Sequence, residues 1–251
     1  MISLPVPEMG YVTITATPDQ GKQKMIQVET TSDWHLIHPG AQIGLLEISQ
    51  VDNHHPCPTL DERKATLADD LRRRYGHLSR AEIVNLPVMA AYMRYYKRFD
   101  KTYHVLLQLE SILHKGKHFP RVSPLVDASF MAELDTFALT ASHDAAQLQA
   151  TLWIDVARPG DTFVQMGGAI KRIPPNDMVM RDDQTICCSI LYGQDNRSPI
   201  TPNTTHVLYV TYAPPGVSSE AIHSYWQKVL AVVRLCSPQA VIEQQRILTA
   251  G

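Results

Sequence analysis

Apolar and polar positions alternate through the first fifty residues, which predicts strands over Tyr11–Thr17, Met25–Glu29 and Ile43–Ile48. Pro18-Asp19-Gln20-Gly21 and Pro39-Gly40 supply the turns between them. After Pro56-Cys57-Pro58 the period changes. From Thr59 to about Phe137 it is helical, with Leu60, Leu67 and Leu71 on one stripe and Leu106, Leu109 and Leu113 on another. Thr59 with Glu62 and Ser79 with Glu82 read as capping boxes. Short strands follow over Thr151–Val156, Thr162–Met166, Ile186–Tyr192 and His206–Tyr212, separated by turns rich in proline and glycine; Gly167-Gly168 reads as a hairpin turn. Ser219 caps a last amphipathic helix through Leu235, with Ile222, Trp226, Val229 and Val233 on one face. The expected fold is α+β: mixed sheets with a helical middle segment packed on them. Residues 1–58 form an N-terminal β segment and 59–251 the α+β domain, together one compact unit.

Composition adds mostly exclusions. With 251 residues and a formal net charge of -2, the chain has no global field to attract nucleic acid, so RNA binding would need a local patch. The densest basic region runs through the helices: Arg72, Arg73, Arg74 and Arg80, then Arg94, Lys97, Arg98 and Lys101, then Lys115, Lys117 and Arg121. It reads either as a phosphate-binding face or as solvated helix surface offset by Asp61, Glu62, Asp69 and Asp70. Tyr92, Tyr95 and Tyr96 interleave at helical spacing and read as core or boundary residues. Cys57, Cys187, Cys188 and Cys236 have neither a C-x-x-C pair nor metal-type spacing and are expected as four reduced thiols, with Cys187 and Cys188 on opposite faces of a strand. The start of the chain does not read as a signal peptide, and no run of about 18 apolar residues occurs. A cytoplasmic protein without a membrane segment is expected.

Candidate chemistry is sparse. His35-x-x-His38 and His54-His55 come with no cysteine or carboxylate at ligand spacing, so no metal is expected, nor any other cofactor. The pair His143-Asp144 follows a helix, and Asp195-Asn196-Arg197 follows a strand, at element ends where sites usually form. An imidazole beside a carboxylate can activate water against an ester, and turn chemistry accounts for the same residues equally well. No nucleophile elbow, P-loop or dinucleotide fingerprint is present.

Several segments, in order, resemble one family. Val126–Asp144, VDASFMAELDTFALTASHD, resembles the VD-x-x-N…P-x-H-A-F-D motif of the B3/B4 editing domain of the phenylalanyl-tRNA synthetase beta subunit, with the spacing between its aspartates kept. Trp153–Ala157, Pro159-Gly160-Asp161, Pro175–Val179 and the run Gly193–Gly216 follow colinearly, so the resemblance covers roughly Tyr92 to Gly216. It implies the B3/B4 fold and a cavity between the His143-Asp144 and Gly193–Thr205 segments. Two polar positions of the family differ: its histidine falls on Ala141 and its glutamate on Val210.

The resemblance implies a tRNA-binding protein, acting in trans as an aminoacyl-tRNA deacylase; a module binding a small molecule such as an amino acid on the same fold is the alternative. A surface for self-association, with Ile222, Trp226 and Val229 feeding a dimer, is a third reading. The catalytic expectation falls on His143 and Asp144. Substrate contacts are expected from Ser142, Gln194, Asp195, Asn196, Arg197, Thr204 and Thr205, with His143 near Arg197 and the Arg197 fork holding a phosphate or carboxylate.

Overall fold

The structure, a computed structural model, describes residues 25–148 and 151–251; the expected strand Tyr11–Thr17 lies outside them. Two sheets carry the molecule. The first is antiparallel, in the order β11-β2-β10-β3, with β2 (Gln42–Ser49) and β10 (His206–Ala213) inside and β3 (Thr140–Asp144) and β11 (Val241–Thr249) at the edges. All of β2 after Gln42 is buried, which explains its nearly continuous apolar run. The second is mixed, in the order β1-β4-β7-β8-β9: β1 (Gln27–Thr30) pairs parallel with β4 (Thr151–Val156), followed by β7 (Met178–Arg181), β8 (Ile186–Ser189) and β9 (Gly193–Gln194). β5 (Thr162–Val164) and β6 (Ile170–Arg172) form a hairpin turning through Gly167-Gly168, where Gly168 has φ +83.

The helical middle segment comprises α2 (Leu60–Tyr75), α3 (Arg80–Val84), α4 (Pro87–Lys97), α5 (His104–Lys115) and α6 (Pro124–Thr136). A short α1 (Ser32–Ile37) precedes it and α7 (Ser219–Cys236) follows late in the chain. Three tyrosines bind α4 to its surroundings: Tyr92 donates to the Tyr212 carbonyl at 2.7 Å, Tyr96 to the Ile190 carbonyl at 2.6 Å and Tyr95 to Asp177 at 2.7 Å. All three are core residues. α7 lies so close to β2 that a methyl at Gly44 would overlap the Ile222 side chain and sit 3.2 Å from the Trp226 ring. Gly44→Ala is therefore expected to cost about 1–3 kcal/mol, measured by denaturant unfolding, because neither neighbour can retreat in a packed core.

Several expectations are corrected. Thr59 sits in helical backbone and makes no capping bond, so its box does not form, whereas the Ser79–Glu82 box is complete. The last helix is capped by Ser218, one residue earlier than expected. The strands begun at Thr162 and Ile186 end at Val164 and Ser189, where the chain turns. β11 is absent from the expected elements, because its sequence VIEQQRILT alternates only weakly, as befits an edge strand. The N-terminal segment supplies β1 to one sheet and the interior strand β2 to the other. The expectation of four reduced thiols fails: Cys57 and Cys236 are bonded, their Cα atoms 5.3 Å apart. Spacing could not show this, since 179 residues separate them and the fold alone brings the start of α2 to the end of α7. Cys187 and Cys188 are free, and both are buried in β8. No helix among the described residues is long and apolar enough to cross a membrane.

Candidate functional site

Where the free edge of β3 faces β8 and β9, with α6 closing one side, the protein encloses a cavity of about 330 Å³. α6 presents Val126, Ser129, Phe130 and Glu133 to it, the i, i+3, i+4, i+7 stripe of a helix. The opposite side of α6 packs on α7, which is why the helix is apolar on nearly every side. Thr140, Ala141 and Ser142 line the cavity from β3; Cys188, Ser189, Gly193 and Gln194 do so from β8 and β9. Leu139, Ile190 and Ile200 add apolar wall, and Val122 and Met166 are exposed at its border.

Two polar groups in this lining stand out. Glu133 is buried, and its Oε1 accepts the Thr140 N–H at 2.7 Å, while no donor reaches Oε2 among the described residues. Burial raises its carboxyl to about 8, against the lowering effect of that N–H. Tyr212 is fully buried and its hydroxyl makes no hydrogen bond within normal geometry, with only the weakly polar Cys188 thiol beside it. Neither residue figures among the sequence candidates. The available signal was a glutamate, Glu133, on the cavity-facing stripe of α6 with no basic residue anywhere on that helix.

The expected site residues divide. Ser142 and Gln194 line the cavity. His143 and Asp144 do not: both belong to β3, not to a loop after a helix. The His143 side chain is fully buried, its Nδ1 is 2.7 Å from the Ser198 hydroxyl, and its Nε2 has no partner. Burial, with Arg197 nearby, lowers its pKa to about 3, so the ring is neutral at any physiological pH. Asp144 accepts the Ala146 N–H at 3.1 Å and the Thr204 hydroxyl at 2.7 Å, a turn-building role that occupies both oxygens.

The two segments do meet. Ser198 links His143 to Asp195, and Asp195 in turn binds Arg197, so histidine and arginine share one network. The guanidinium is engaged within the protein: Nε donates to Asp195 at 2.6 Å, one terminal nitrogen to Asp182 at 2.9 Å, and the other faces the Cys187 sulfur at 3.3 Å. Asn196 and Thr205 are exposed and, like Thr204, lie outside the cavity wall.

Comparison with known proteins supplies the frame. The family model described as B3/4 domain matches residues 88–228, more than half of the chain. The chain belongs to the B3/4 domain family. No curated protein matches it. Among solved structures, the N-terminal fragment of the phenylalanyl-tRNA synthetase beta subunit from Pyrococcus horikoshii is similar at 7% identity with a TM-score of 0.42, covering 90% of this chain and 52% of that one. The present chain thus spans about half the length of that fragment.

Within the B3/4 domain, the substituted positions Ala141 and Val210 are cross-strand partners on β3 and β10, and Ala141 lines the cavity. The two positions that the resemblance pairs with the family's histidine and glutamate therefore fall on one apolar patch beside the cavity. Asp127, the first aspartate of the segment that carries the resemblance, serves the structure. Its Oδ2 pairs with the buried Lys64 ammonium at 2.5 Å, and its Oδ1 accepts the Val122 N–H at 3.1 Å. Lys64 lies on α2, before the matched segment, so this pair ties the B3/4 domain to the helix that precedes it.

The basic helices also sort themselves. Arg72, Arg73, Arg74, Arg80 and Arg121 are paired with Asp69, Asp70, Asp135, Glu110 and Asp61. Arg94, Lys97, Arg98, Lys101, Lys115 and Lys117 make no ion pair among the described residues. Lys101 stands over the ring of Tyr192, 5.4 Å from its centre; Lys101 is three residues before His104 and Tyr192 immediately precedes Gly193, and His104 and Gly193 line the cavity. His38 is buried with its Nε2 at the Asn176 carbonyl, and His55 pairs with Asp52; among the described residues no three potential metal ligands cluster.

Proposed function

We propose that this B3/4 domain recognises an aminoacyl group, the cavity holding the amino acid and the basic residues near its border holding the RNA when that group is carried by tRNA. The observation that carries the reading is the cavity itself. Its walls are apolar, its volume of about 330 Å³ suits a single amino acid, and it contains one carboxyl and one unsatisfied phenol. Family membership points to a domain related to tRNA synthetases. Lys101, unpaired beside the cavity, favours an RNA-borne ligand over a free one.

Hydrolysis of that ester in trans is the stronger form of the proposal. His143 is sealed and neutral, so water activation has to come from the cavity wall or from the tRNA's own terminal hydroxyl. A panel of aminoacyl-tRNAs mixed with the full chain at low salt tests both forms at once. Binding of charged tRNA above deacylated tRNA is expected, weakening steeply as salt rises. His143→Ala should lower the melting temperature yet deacylate at the parent rate per folded molecule; a loss of about 100-fold or more would return the imidazole to the chemistry. If neither charged tRNA nor any free amino acid binds, the proposal falls.

A further inference from the structure

The cavity carries one more piece of information, the charge it is built to accept. Its lining includes the Glu133 carboxyl but no lysine and no arginine. His104 is the only other residue there with a basic side chain, and burial lowers its pKa, disfavouring the charged ring. The Arg197 guanidinium is engaged by Asp195 and Asp182 behind the wall. A carboxylate entering this space would lose its water and meet no cation, a transfer that is strongly unfavourable. An ammonium would meet the Oε2 of Glu133, the oxygen left without a donor. The Tyr212 hydroxyl, buried and unpartnered, can donate to a neutral carbonyl oxygen.

We propose that Glu133 is the ligand-reading group, accepting a primary ammonium on an apolar body, and that the cavity excludes ligands bearing a free carboxylate. Resting on the aminoacyl reading above, this narrows it: the cavity takes the amino acid with its carboxyl masked as an ester or amide, and refuses the free zwitterion. The selectivity follows from charge placement alone and requires no contact with RNA.

Proton linkage supplies a signature. With its carboxyl raised to about 8, Glu133 is mostly protonated at pH 6 in the empty protein, and it has to ionise to pair with an ammonium. Binding therefore releases a proton, and affinity should climb by up to about tenfold per pH unit between 6 and 8. Above that it falls as the ligand's own amine deprotonates. The titratable groups facing Glu133 are Tyr92 and Tyr96 of α4, Tyr103, and Tyr225 of α7, and those sharing the cavity wall with it are His104, Cys188 of β8 and Tyr212 of β10. Burial pushes the five phenols and the thiol above their ordinary values, out of this window, and lowers the histidine, so that His104 gives up its proton earlier than a free imidazole. Asp177, under Ser189, is raised by burial to about 7 and does titrate within it. Only the comparison with a Glu133 variant separates the two carboxyls.

Calorimetric titration of the full chain with leucinamide and phenylalaninamide, free leucine and phenylalanine, and the same two amides lacking the amine decides the matter. The amino amides should bind at least about tenfold more tightly than either other set, with the rise between pH 6 and 8. Glu133→Gln keeps an acceptor for the Thr140 N–H and should fold; it is expected to lose both the preference for the amine and the pH slope. Tyr212→Phe should weaken both kinds of amide equally. If the deaminated amides bind as well as the amino amides, or Glu133→Gln retains affinity and slope, the Glu133 assignment is wrong while the cavity remains a ligand site. Free amino acids binding as tightly as their amides would remove the charge selectivity. Should none of the six probes bind, the cavity reading and this inference fall together.

Discussion

Asp127→Ala is expected to destabilise the protein by about 3–5 kcal/mol, a large share of the roughly 5–15 kcal/mol that holds a domain folded. Asp127 and Lys64 are each almost wholly buried, so removing the carboxylate leaves an ammonium in the interior with the Pro120 carbonyl at 2.9 Å and the half-exposed Asp61 carboxylate at 3.8 Å as its remaining partners. The Val122 N–H loses its acceptor as well. At this size each kcal/mol moves the melting temperature by about 2–4 °C, so a fall of roughly 6–20 °C is expected in a thermal melt. Replacing both partners together, Lys64→Met with Asp127→Leu, should recover much of the loss, because the charge-burial penalty then disappears from both sides. A single variant losing less than about 1 kcal/mol would mean that water reaches the pair and screens it.

The Cys57–Cys236 bond carries the second large effect. It closes a loop of 179 residues, for which chain entropy predicts about 5 kcal/mol, and measured losses for native disulfides run about 2–5 kcal/mol. Both cysteines flank the segment matched by the B3/4 model, so the bond ties the helix before it to the end of α7. Cys236→Ser, or added reductant, is expected to lower the denaturant midpoint accordingly. Denatured without reductant, the protein should show two reactive thiols, Cys187 and Cys188. Four would restore the sequence expectation of reduced cysteines. Such bonds last in oxidising surroundings and are removed in reducing ones, so the thiol count in freshly alkylated cells also tests the cytoplasmic expectation.

Local pattern makes most of the fold legible. The switch from alternation to helical period near residue 59 and back near 151 places the helical segment and the strands β2, β4 and β10, because burial of one face dictates spacing, while β3 and β7 go unread. Illegible features depend on distant partners: β11 is recognisable as a strand only once β2 lies beside it, and the 57–236 bond exists only after α7 has docked. The site shows the same division. The resemblance points to the segments Val126–Asp144 and Gly193–Thr205, and these do meet. Within them the conspicuous chemistry belongs to His143, Asp144 and Arg197, whose side chains the fold uses on one another. Glu133 and Tyr212 carry no motif. What distinguishes them is an oxygen left unpaired, a property of the assembled interior.

The central place of β2 has a consequence for how the chain is made. Its neighbours are β10, beginning at His206, and β11, beginning at Val241, so 157 residues separate Ser49 from the first partner it meets. At about 5–20 residues per second, a ribosome needs roughly 8–30 s to supply them. Throughout that interval QIGLLEIS, with a single charge, is an unpaired apolar strand of the kind that joins other chains edge to edge. Synthesis from the N-terminus thus delivers an interior strand of the finished sheet first and both of its partners last. The exposure of β2 to mispairing ends only once His206–Ala213 has emerged and paired with it.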